Sequence, residues 1–332
     1  MHIPENYLSP STCAVMTMAM APVWWMAAKK VKEEIPREKL SLIGVAAAFS
    51  FLGMMFNIPM PGGTTGHAVG GTLIAILFGP YAACLAVSVA LFIQAFFFGD
   101  GGILAFGANC FNMAFLLPFG GYFIYKFLKD KVGETAAAGF GSYVGINLAA
   151  LLAAVEFGIQ PLLFTDAMGH ALYCPYPLSV SVPAMMLGHL TIFGAAEVIF
   201  TVLVLSFIRN AAPSMIQVRE GNADGNGIKA VYGLVAALIV LTPLGLLAEG
   251  TAWGEWAPEE LAEQTFLGGA LGYTPLGMEN GFSFDAFFPD YTVGETPEIF
   301  GYVLSAVIGV ALLVIIFKIF ATILSKNTAQ NA

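Results

Sequence analysis

The sequence predicts an all-α integral membrane protein, a polytopic helical bundle with about nine transmembrane helices. Apolar residues make up 58% of the 332 positions and charged residues only 11%, whereas soluble domains carry about 25% charge. Nearly uncharged stretches of about 18 residues recur along the chain, and each is long enough to cross the hydrocarbon core. The chain is therefore expected to lie in a lipid bilayer.

The predicted spans follow one another along the whole sequence. The first seven have short connections, and a long outer segment separates the last two. The spans cover approximately 10–28, 40–58, 66–78, 80–99, 103–126, 135–156, 179–208, 229–249 and 299–324.

Basic residues set the predicted orientation. All 13 Lys and Arg residues fall in alternate loops or at the helix ends beside them, and the positive-inside rule places such loops in the cytoplasm. The N-terminus is then expected outside and the C-terminus inside. The outer segment 250–298 is acidic and contains no base. It is predicted to be either a solvated loop or a surface that attracts cations toward the membrane.

A polar, Gly- and Asn-rich stretch, 209–228, divides the chain. It predicts a cytoplasmic linker between a membrane domain, 1–208, and a two-helix region, 229–332.

The sequence contains neither a GxxxxGK[ST] nor an HExxH motif, so neither a P-loop ATPase nor the commonest class of membrane metalloprotease is expected. Energy for active transport would then come from a partner.

His2, one of four histidines, has an unusual position. The Met1 amine, the His2 main-chain amide and the His2 imidazole can close two fused chelate rings around one ion. Three nitrogens then share a plane, and a fourth would complete the square-planar set that favours Ni(II) or Cu(II) over Zn(II). We expect Met1 to be retained, because removal of the initiator generally needs a small second residue and His2 is not small. No removable signal peptide is predicted either. Ser9-Pro10 predicts a helix N-cap, so residues 1–8 are expected to form a short arm between helices.

His67 ends the Pro- and Gly-rich segment 57–67, which is predicted to face the same side as Met1. An isolated His at a helix start is usually a capping or hydrogen-bonding residue, but the arm needs one more nitrogen on this face. Neighbouring polar side chains are expected to orient the imidazole and the arm. These candidates are Asn57, Thr64, Thr65, Asn109 and Asn112. Because Asn109 and Asn112 are three positions apart, they are expected to share a helix face.

His189 and Glu197 lie about two turns apart in the seventh span. Ionisable groups inside a membrane are candidate functional residues, so the pair is a possible relay. The alternative is a structural pair in which each side chain satisfies the hydrogen bonding of the other.

Two other classes of function stay open, a membrane metalloenzyme and a metal-gated sensor or channel. An enzyme would need an open metal position with an acid or base nearby, and no catalytic residue is predicted here.

Three segments of the sequence resemble one family. MHIPENYLSPSTC at 1–13, NIPMPGGTTGHAVGG at 57–71 and FGDGGILAFGANCFNM at 98–113 are similar to the substrate-capturing M component of nickel/cobalt energy-coupling-factor transporters (NikM/CbiM). The resemblance implies that Met1, His2 and His67 hold the transported metal. Ni(II) is the expected substrate, and the alternative is Co(II), as in a cobalt-specific homologue for cobalamin synthesis. Glu5-Asn6 departs from the Asp-Gly that is usual in the family.

The resemblance also implies a second region and partners. Residues 229–324 resemble, more weakly, a fused two-helix N component, whose outer loop helps to load the metal. The implied partners are a transmembrane T component and two cytoplasmic ABC-type ATPases, so that ATP hydrolysis belongs to the partners and this chain is not an enzyme. We expect a multi-pass protein of the cytoplasmic (inner) cell membrane, with no nucleic acid among its partners.

Overall fold

A computed structural model of the protein describes residues 1–61, 63–213, 225–266 and 269–329, and this part of the chain is mostly helical. The α-helices are α1 (Pro10–Glu34), α2 (Arg37–Met55), α3 (Gly71–Phe78), α4 (Pro80–Ile93), α5 (Phe106–Asn109), α6 (Leu117–Val132), α7 (Glu134–Leu163), α8 (Leu178–Gly188), α9 (Gly194–Ala211), α10 (Gly225–Leu241), α11 (Pro258–Leu261), α12 (Leu276–Glu279) and α13 (Glu298–Ala329). Two short antiparallel hairpins pair β1 (Ile58–Met60) with β2 (Thr64–Gly66) and β3 (Thr265–Phe266) with β4 (Gly269–Ala270).

Several helices run on through π-helical or 3-10 segments. The π-helical segments are Gln94–Phe98, Cys110–Leu116 and His189–Phe193, and the 3-10 segments are Thr242–Leu247 and Pro289–Tyr291. The helix predicted over 103–126 accordingly begins at Phe106 and continues to Val132. π-Helical turns are rare and occur most often at functional sites.

Six helical stretches in the described residues are long and apolar enough to cross a membrane. They are Pro10–Glu34, Pro80–Phe98, Glu134–Leu163, Leu178–Ala211, Asn226–Leu247 and Glu298–Ile323, and Lys39–Met55 is a shorter apolar helix. The helical membrane class agrees with the prediction from composition. The number of about nine spans and the orientation of the termini stay predictions.

The third predicted span, 66–78, is shorter than expected. Only Gly71–Phe78 is helical, and eight residues extend about 12 Å against a hydrocarbon core of about 30 Å. The residues before it form the β1–β2 hairpin, in which Pro59 lies opposite Thr65. Gly79, with φ 91°, ends α3 and is followed directly by Pro80 of α4. A helix break at each end therefore limits α3.

The C-terminal helix α13 packs closely along α2. A Cβ atom on Gly44 would lie 2.9 Å from Phe317 Cβ, and a Cβ atom on Gly309 would overlap the ring of Phe51. Glycine at both positions allows the two helices to approach. This packing brings the C-terminal region against the N-terminal membrane domain.

The predicted linker, 209–228, is described only at its ends. Helix α9 ends at Ala211 and α10 begins at Gly225. Residues 214–224 lie outside the described residues, so the predicted division into 1–208, 209–228 and 229–332 stays a prediction.

Candidate metal centre

The first nine residues form an arm with no regular secondary structure, yet most of it is buried. His2 and Ile3 are 2% and 0% exposed. Asn109 Oδ1 accepts a hydrogen bond from the Ile3 N–H at 2.7 Å, and Asn109 Nδ2 donates to the Ile3 carbonyl at 3.0 Å. Buried main-chain groups need such partners. Asn109 therefore fixes the main chain directly after His2, as its predicted orienting role requires.

The other end of the arm is fixed at the start of α1. Ser9 Oγ accepts from the Thr12 N–H at 3.1 Å, and Pro10 is the first residue of the helix. The predicted N-cap is therefore confirmed. Gln160 of α7 accepts from the Ser9 N–H at 3.0 Å.

A glycine-rich segment gives the arm its place between the helices. Gly102 donates its N–H to the Ile3 carbonyl at 2.9 Å, and a Cβ atom on Gly102 would lie 2.8 Å from the Glu5 nitrogen. Gly101 has a φ of 91°, and a Cβ atom there would lie 3.4 Å from His2 Cδ2. Side chains at these two positions would push the arm outward. Glycine at both positions therefore allows the arm to pack directly against this segment.

Glu5 and Asn6, where the sequence departs from the family's usual residues, both hold the arm. The Glu5 carboxylate accepts from the main-chain N–H groups of Ile103 and Leu104 at 2.6 and 3.2 Å. Burial raises the pKa of the Glu5 carboxyl above its ordinary value. Asn6, in a left-handed conformation with φ 64°, donates to the Phe282 carbonyl at 2.8 Å and accepts from its N–H at 3.0 Å. The arm thus contacts the outer segment as well.

His2 and His67 meet at the buried end of the arm. His67 Nε2 lies 3.3 Å from His2 Nδ1, and the ring centroids are 4.9 Å apart. Two nitrogen ligands at right angles on one ion, each about 2 Å from it, are separated by about 3 Å. The two imidazoles are therefore spaced as neighbouring ligands of a single ion.

The Met1 amine lies on the same arm and is buried. It lies 3.3 Å from Glu255 Oε1, in the outer segment. Within the described residues, no group of three His, Cys, Asp or Glu side chains is arranged to hold a metal. The predicted metal centre differs from such a group, because two of its nitrogens would come from the terminal amine and a main-chain amide.

A polar cavity of about 320 Å³ lies beside the two histidines. The outer segment forms one of its walls, so at least this part of 250–298 packs on the predicted site and is not simply a solvated loop. Asn57 and Thr65, two of the predicted orienting residues, also line the cavity. The polar lining includes His2, Asn57, Thr65, His67, Asp100, Thr251, Glu255, Asp290 and Tyr291.

Asp100 belongs to this site and was not predicted from the sequence. Its Oδ1 lies 3.1 Å from His2 Nδ1. Its Oδ2 accepts from the Tyr291 hydroxyl at 2.5 Å and from Gln94 Nε2 at 3.0 Å. A signal was available, because Asp100 is the only Asp, Glu, Lys or Arg in the 86 positions between Lys39 and Lys126.

Asn112 does not contact the arm, although it was predicted to orient it together with Asn109. Its Nδ2 donates to Glu156 Oε2 at 2.7 Å. A π-helical segment begins at Cys110, between the two asparagines, and its wider turn changes the direction of the side chains that follow.

Thr64, another of the predicted orienting residues, has a buried hydroxyl without a partner among the described residues. It lines a small cavity of about 20 Å³ beside Met1.

His189 and Glu197 contact different parts of the structure, and no hydrogen bond joins them in the described residues. His189 Nδ1 lies 2.8 Å from the Met185 carbonyl. The Glu197 carboxylate accepts from the Val69 N–H at 2.7 Å and from the Gly70 N–H at 3.0 Å. The self-satisfied pair is therefore not formed, and the possible relay stays a prediction. Glu197 instead holds the backbone just after His67.

Comparison with known proteins finds matches along both parts of the chain. The family model CbiM, described as a cobalt uptake substrate-specific transmembrane region, matches residues 2–215. A PDGLE domain model matches residues 229–326.

Full-length relatives and a solved structure are also similar. The probable fused nickel transport protein LarMN of Lactiplantibacillus plantarum is 48% identical over 320 residues, which cover 96% of this chain and 97% of the relative. The fused nickel transport protein NikMN of Rhodobacter capsulatus is 48% identical over 332 residues, which cover 95% of each chain. A crystal structure described as a truncated transition metal transporter has 54% identity and a TM-score of 0.61, and the match covers 63% of this chain and 99% of that one.

Proposed function

We propose that this chain, which belongs to the CbiM family of cobalt-uptake substrate-specific transmembrane regions, captures Ni(II) at the outer face of the membrane. The family resemblance of 1–13, 57–71 and 98–113 is confirmed by this match. The chain is an integral membrane component of nickel or cobalt uptake, and it is a transport component rather than an enzyme.

The approach of His67 to the buried N-terminal arm carries the proposal. In the proposed complex the Met1 amine, the His2 amide, the His2 imidazole and His67 Nε2 form the corners of a square. The 3.3 Å between the two imidazole nitrogens supports this arrangement. Square-planar nitrogen sets favour Ni(II), and the loss of an amide proton that such a set requires is harder to achieve with Co(II).

Partners supply the energy in the proposed transport cycle. The family forms multi-subunit transporters, and this sequence contains no P-loop. We expect a transmembrane T component and two cytoplasmic ABC-type ATPases in the cytoplasmic (inner) cell membrane. The polar cavity beside His2 and His67 is the expected route by which the ion reaches the nitrogens from outside.

Cobalt is the second candidate substrate, because the matching family is described by cobalt uptake. The same four nitrogens would receive Co(II). Competition between the two ions for the purified chain, with the bound metal identified by mass spectrometry, decides between them. Preferential retention of cobalt from an equimolar mixture would assign the chain to the cobalt-specific class.

Calorimetric titration of the purified full-length chain with nickel chloride tests the proposal. We expect one Ni(II) per chain, and we expect His67→Ala to weaken binding by about a hundredfold or more, about 2.7 kcal/mol. The matched control is His170→Ala, since the His170 side chain is 44% exposed and its ring lies beside Asp166 and Tyr273, neither of which is a proposed ligand. Intact-mass measurement verifies that the chain begins with a free Met1 amine. Equal nickel affinities of the unmodified chain and His67→Ala would refute the proposal.

A further inference from the structure

A chain of hydrogen bonds connects the C-terminal region to the candidate metal ligands. The Tyr291 hydroxyl donates to Asp100 Oδ2 at 2.5 Å, and the other carboxylate oxygen, Oδ1, lies 3.1 Å from His2 Nδ1. Gln94 Nε2 donates both to Asp100 Oδ2, at 3.0 Å, and to the Tyr291 hydroxyl oxygen, at 2.9 Å. Two donors therefore hold one oxygen of the carboxylate and leave the other facing the imidazole.

The position of the Tyr291 hydroxyl is fixed by its surroundings. The ring stacks on Phe98, with centroids 4.8 Å apart, and meets the ring of Tyr302 edge-on at 5.5 Å. The Tyr291 carbonyl accepts from Ser305 Oγ at 2.9 Å. Asp290 and Tyr291 both have positive φ, 52° and 58°, and non-glycine residues hold such backbone only where neighbouring contacts impose it.

The His2 imidazole depends on Asp100 for its orientation. Its Nδ1 faces Asp100 and His67, whereas its Nε2 is buried and has no hydrogen-bond partner in the described residues. Nδ1 is therefore the ring nitrogen whose polar contacts orient the imidazole, and Asp100 Oδ1 at 3.1 Å is the nearer of its two partners. Asp100 contacts Nδ1 on the side of the ring that faces His67. Asp100 in turn accepts a hydrogen bond from Tyr291, which belongs to the outer segment.

We propose that Tyr291 is a positioning residue for metal capture, which acts through Asp100 to hold the His2 imidazole with Nδ1 toward His67. The inference rests on the proposed function, because it concerns the same ligands. A ring that is already oriented loses less freedom when the metal binds. The metal takes the place of the proton on Nδ1, so the contact with Asp100 Oδ1 orients the ring before capture and is not kept as a hydrogen bond in the complex. Loss of residues that orient metal-ligating histidines commonly changes metal affinity by about 10–100-fold. On this account the C-terminal region is part of the capture site itself.

The alternative is that Tyr291 only packs the outer segment against the membrane domain. Tyr291→Phe distinguishes the positioning role from the packing role, because it keeps the stacked ring and removes only the hydroxyl. Tyr302→Phe is the matched control. It removes a buried hydroxyl from the neighbouring ring, where the acceptor is the Met55 carbonyl at 2.7 Å and not Asp100.

The experiment measures nickel chloride binding to the full-length chain by competition calorimetry and records the visible absorption of the bound nickel. We expect Tyr291→Phe to weaken binding by about tenfold and to shift the absorption band, with thermal unfolding of the metal-free protein affected no more than by Tyr302→Phe, which also removes a buried hydroxyl. Tyr302→Phe is expected to match the unmodified chain in affinity and absorption. Asp100→Asn, which removes the charge of the carboxylate and leaves every residue of the outer segment unchanged, is expected to weaken binding by at least the same factor.

A double-variant comparison tests whether Tyr291 acts through Asp100. In an Asp100→Ala background, adding Tyr291→Phe is expected to change nickel affinity by less than about twofold, because the acceptor is already gone. Tenfold weakening in that background as well, or unmodified affinity and absorption in Tyr291→Phe alone, would overturn the inference. If the unmodified chain itself bound no nickel, the proposed function would fail and this inference with it. If it binds nickel and Tyr291→Phe binds it equally, only the inference fails.

Discussion

Glu255 lies 3.3 Å from the amine of Met1, although 254 positions separate the two residues in the sequence. The contact joins the acidic outer segment to the first residue of the proposed chelate. It also closes the space in front of Met1, which is 4% exposed. The outer segment therefore limits both the access of an ion to the amine and the room for additional residues before it.

An extension of the chain by one alanine before Met1 is expected to abolish tight nickel binding, by about a hundredfold or more. The extension converts the Met1 amine into an amide and leaves both imidazoles intact. The cavity beside Met1 measures only about 20 Å³, so the added residue would also displace the arm. Calorimetry on chains of verified mass measures the effect, and an alanine added after Ala332 is the control. Tight binding by the N-terminally extended chain would exclude the amine as a ligand.

Glu255→Gln is expected to slow nickel association several-fold and to weaken its dependence on salt. A carboxylate at the mouth of the cavity attracts a divalent cation, and salt screens that attraction. Glu259→Gln provides the matched control, because it removes the same charge from an exposed position of the same segment. Stopped-flow mixing at two ionic strengths gives the rates. Equal slowing in both variants would assign the effect to net charge rather than to the position of Glu255.

Asn109→Leu is expected to release the arm and to lower nickel affinity by about tenfold or more. The substitution leaves the Ile3 N–H buried without a partner, which costs about 1–3 kcal/mol, and leaves the Ile3 carbonyl with the Gly102 N–H as its remaining hydrogen bond. Hydrogen exchange of the N-terminal peptide should rise in parallel with the loss of binding. Asn147→Leu is the control, since Asn147 donates only to the Tyr143 carbonyl of its own helix. Unchanged exchange and affinity in Asn109→Leu would show that the arm does not depend on this amide.

Glu197→Ala is expected to destabilise the protein by about 2–6 kcal/mol and to weaken nickel binding. It removes the acceptor for two buried N–H groups, each of which costs about 1–3 kcal/mol when unpaired, and it frees the segment that carries His67. Thr201→Val, one turn further along α9, is the control because the Thr201 hydroxyl has no partner in the described residues. Thermal unfolding and calorimetry measure both effects. Lower stability with unchanged nickel affinity would limit Glu197 to a structural role.

The sequence alone determined features that depend on composition and on neighbouring residues. Long stretches of low charge predict membrane helices, and this prediction does not depend on how the helices pack. The Ser9 cap of α1 depends on residues within one turn, and the proposed Met1-His2 chelate would depend on two adjacent residues. His67 was predicted because few other nitrogens stand on the same face, and the structure places it 3.3 Å from His2.

Only the tertiary structure decided which distant residues complete the site. Asp100 stands out in the sequence as an isolated charge, but its contacts with His2 and Tyr291 span 98 and 191 positions. The contact with His2 requires the buried position of the arm, and the contact with Tyr291 requires the outer segment, which α13 joins to the membrane domain by packing on α2. The π-helical turn that separates Asn109 from Asn112 likewise has no reliable sequence pattern. Such contacts follow from how whole helices pack, and the spacing of residues along one helix or strand does not encode them.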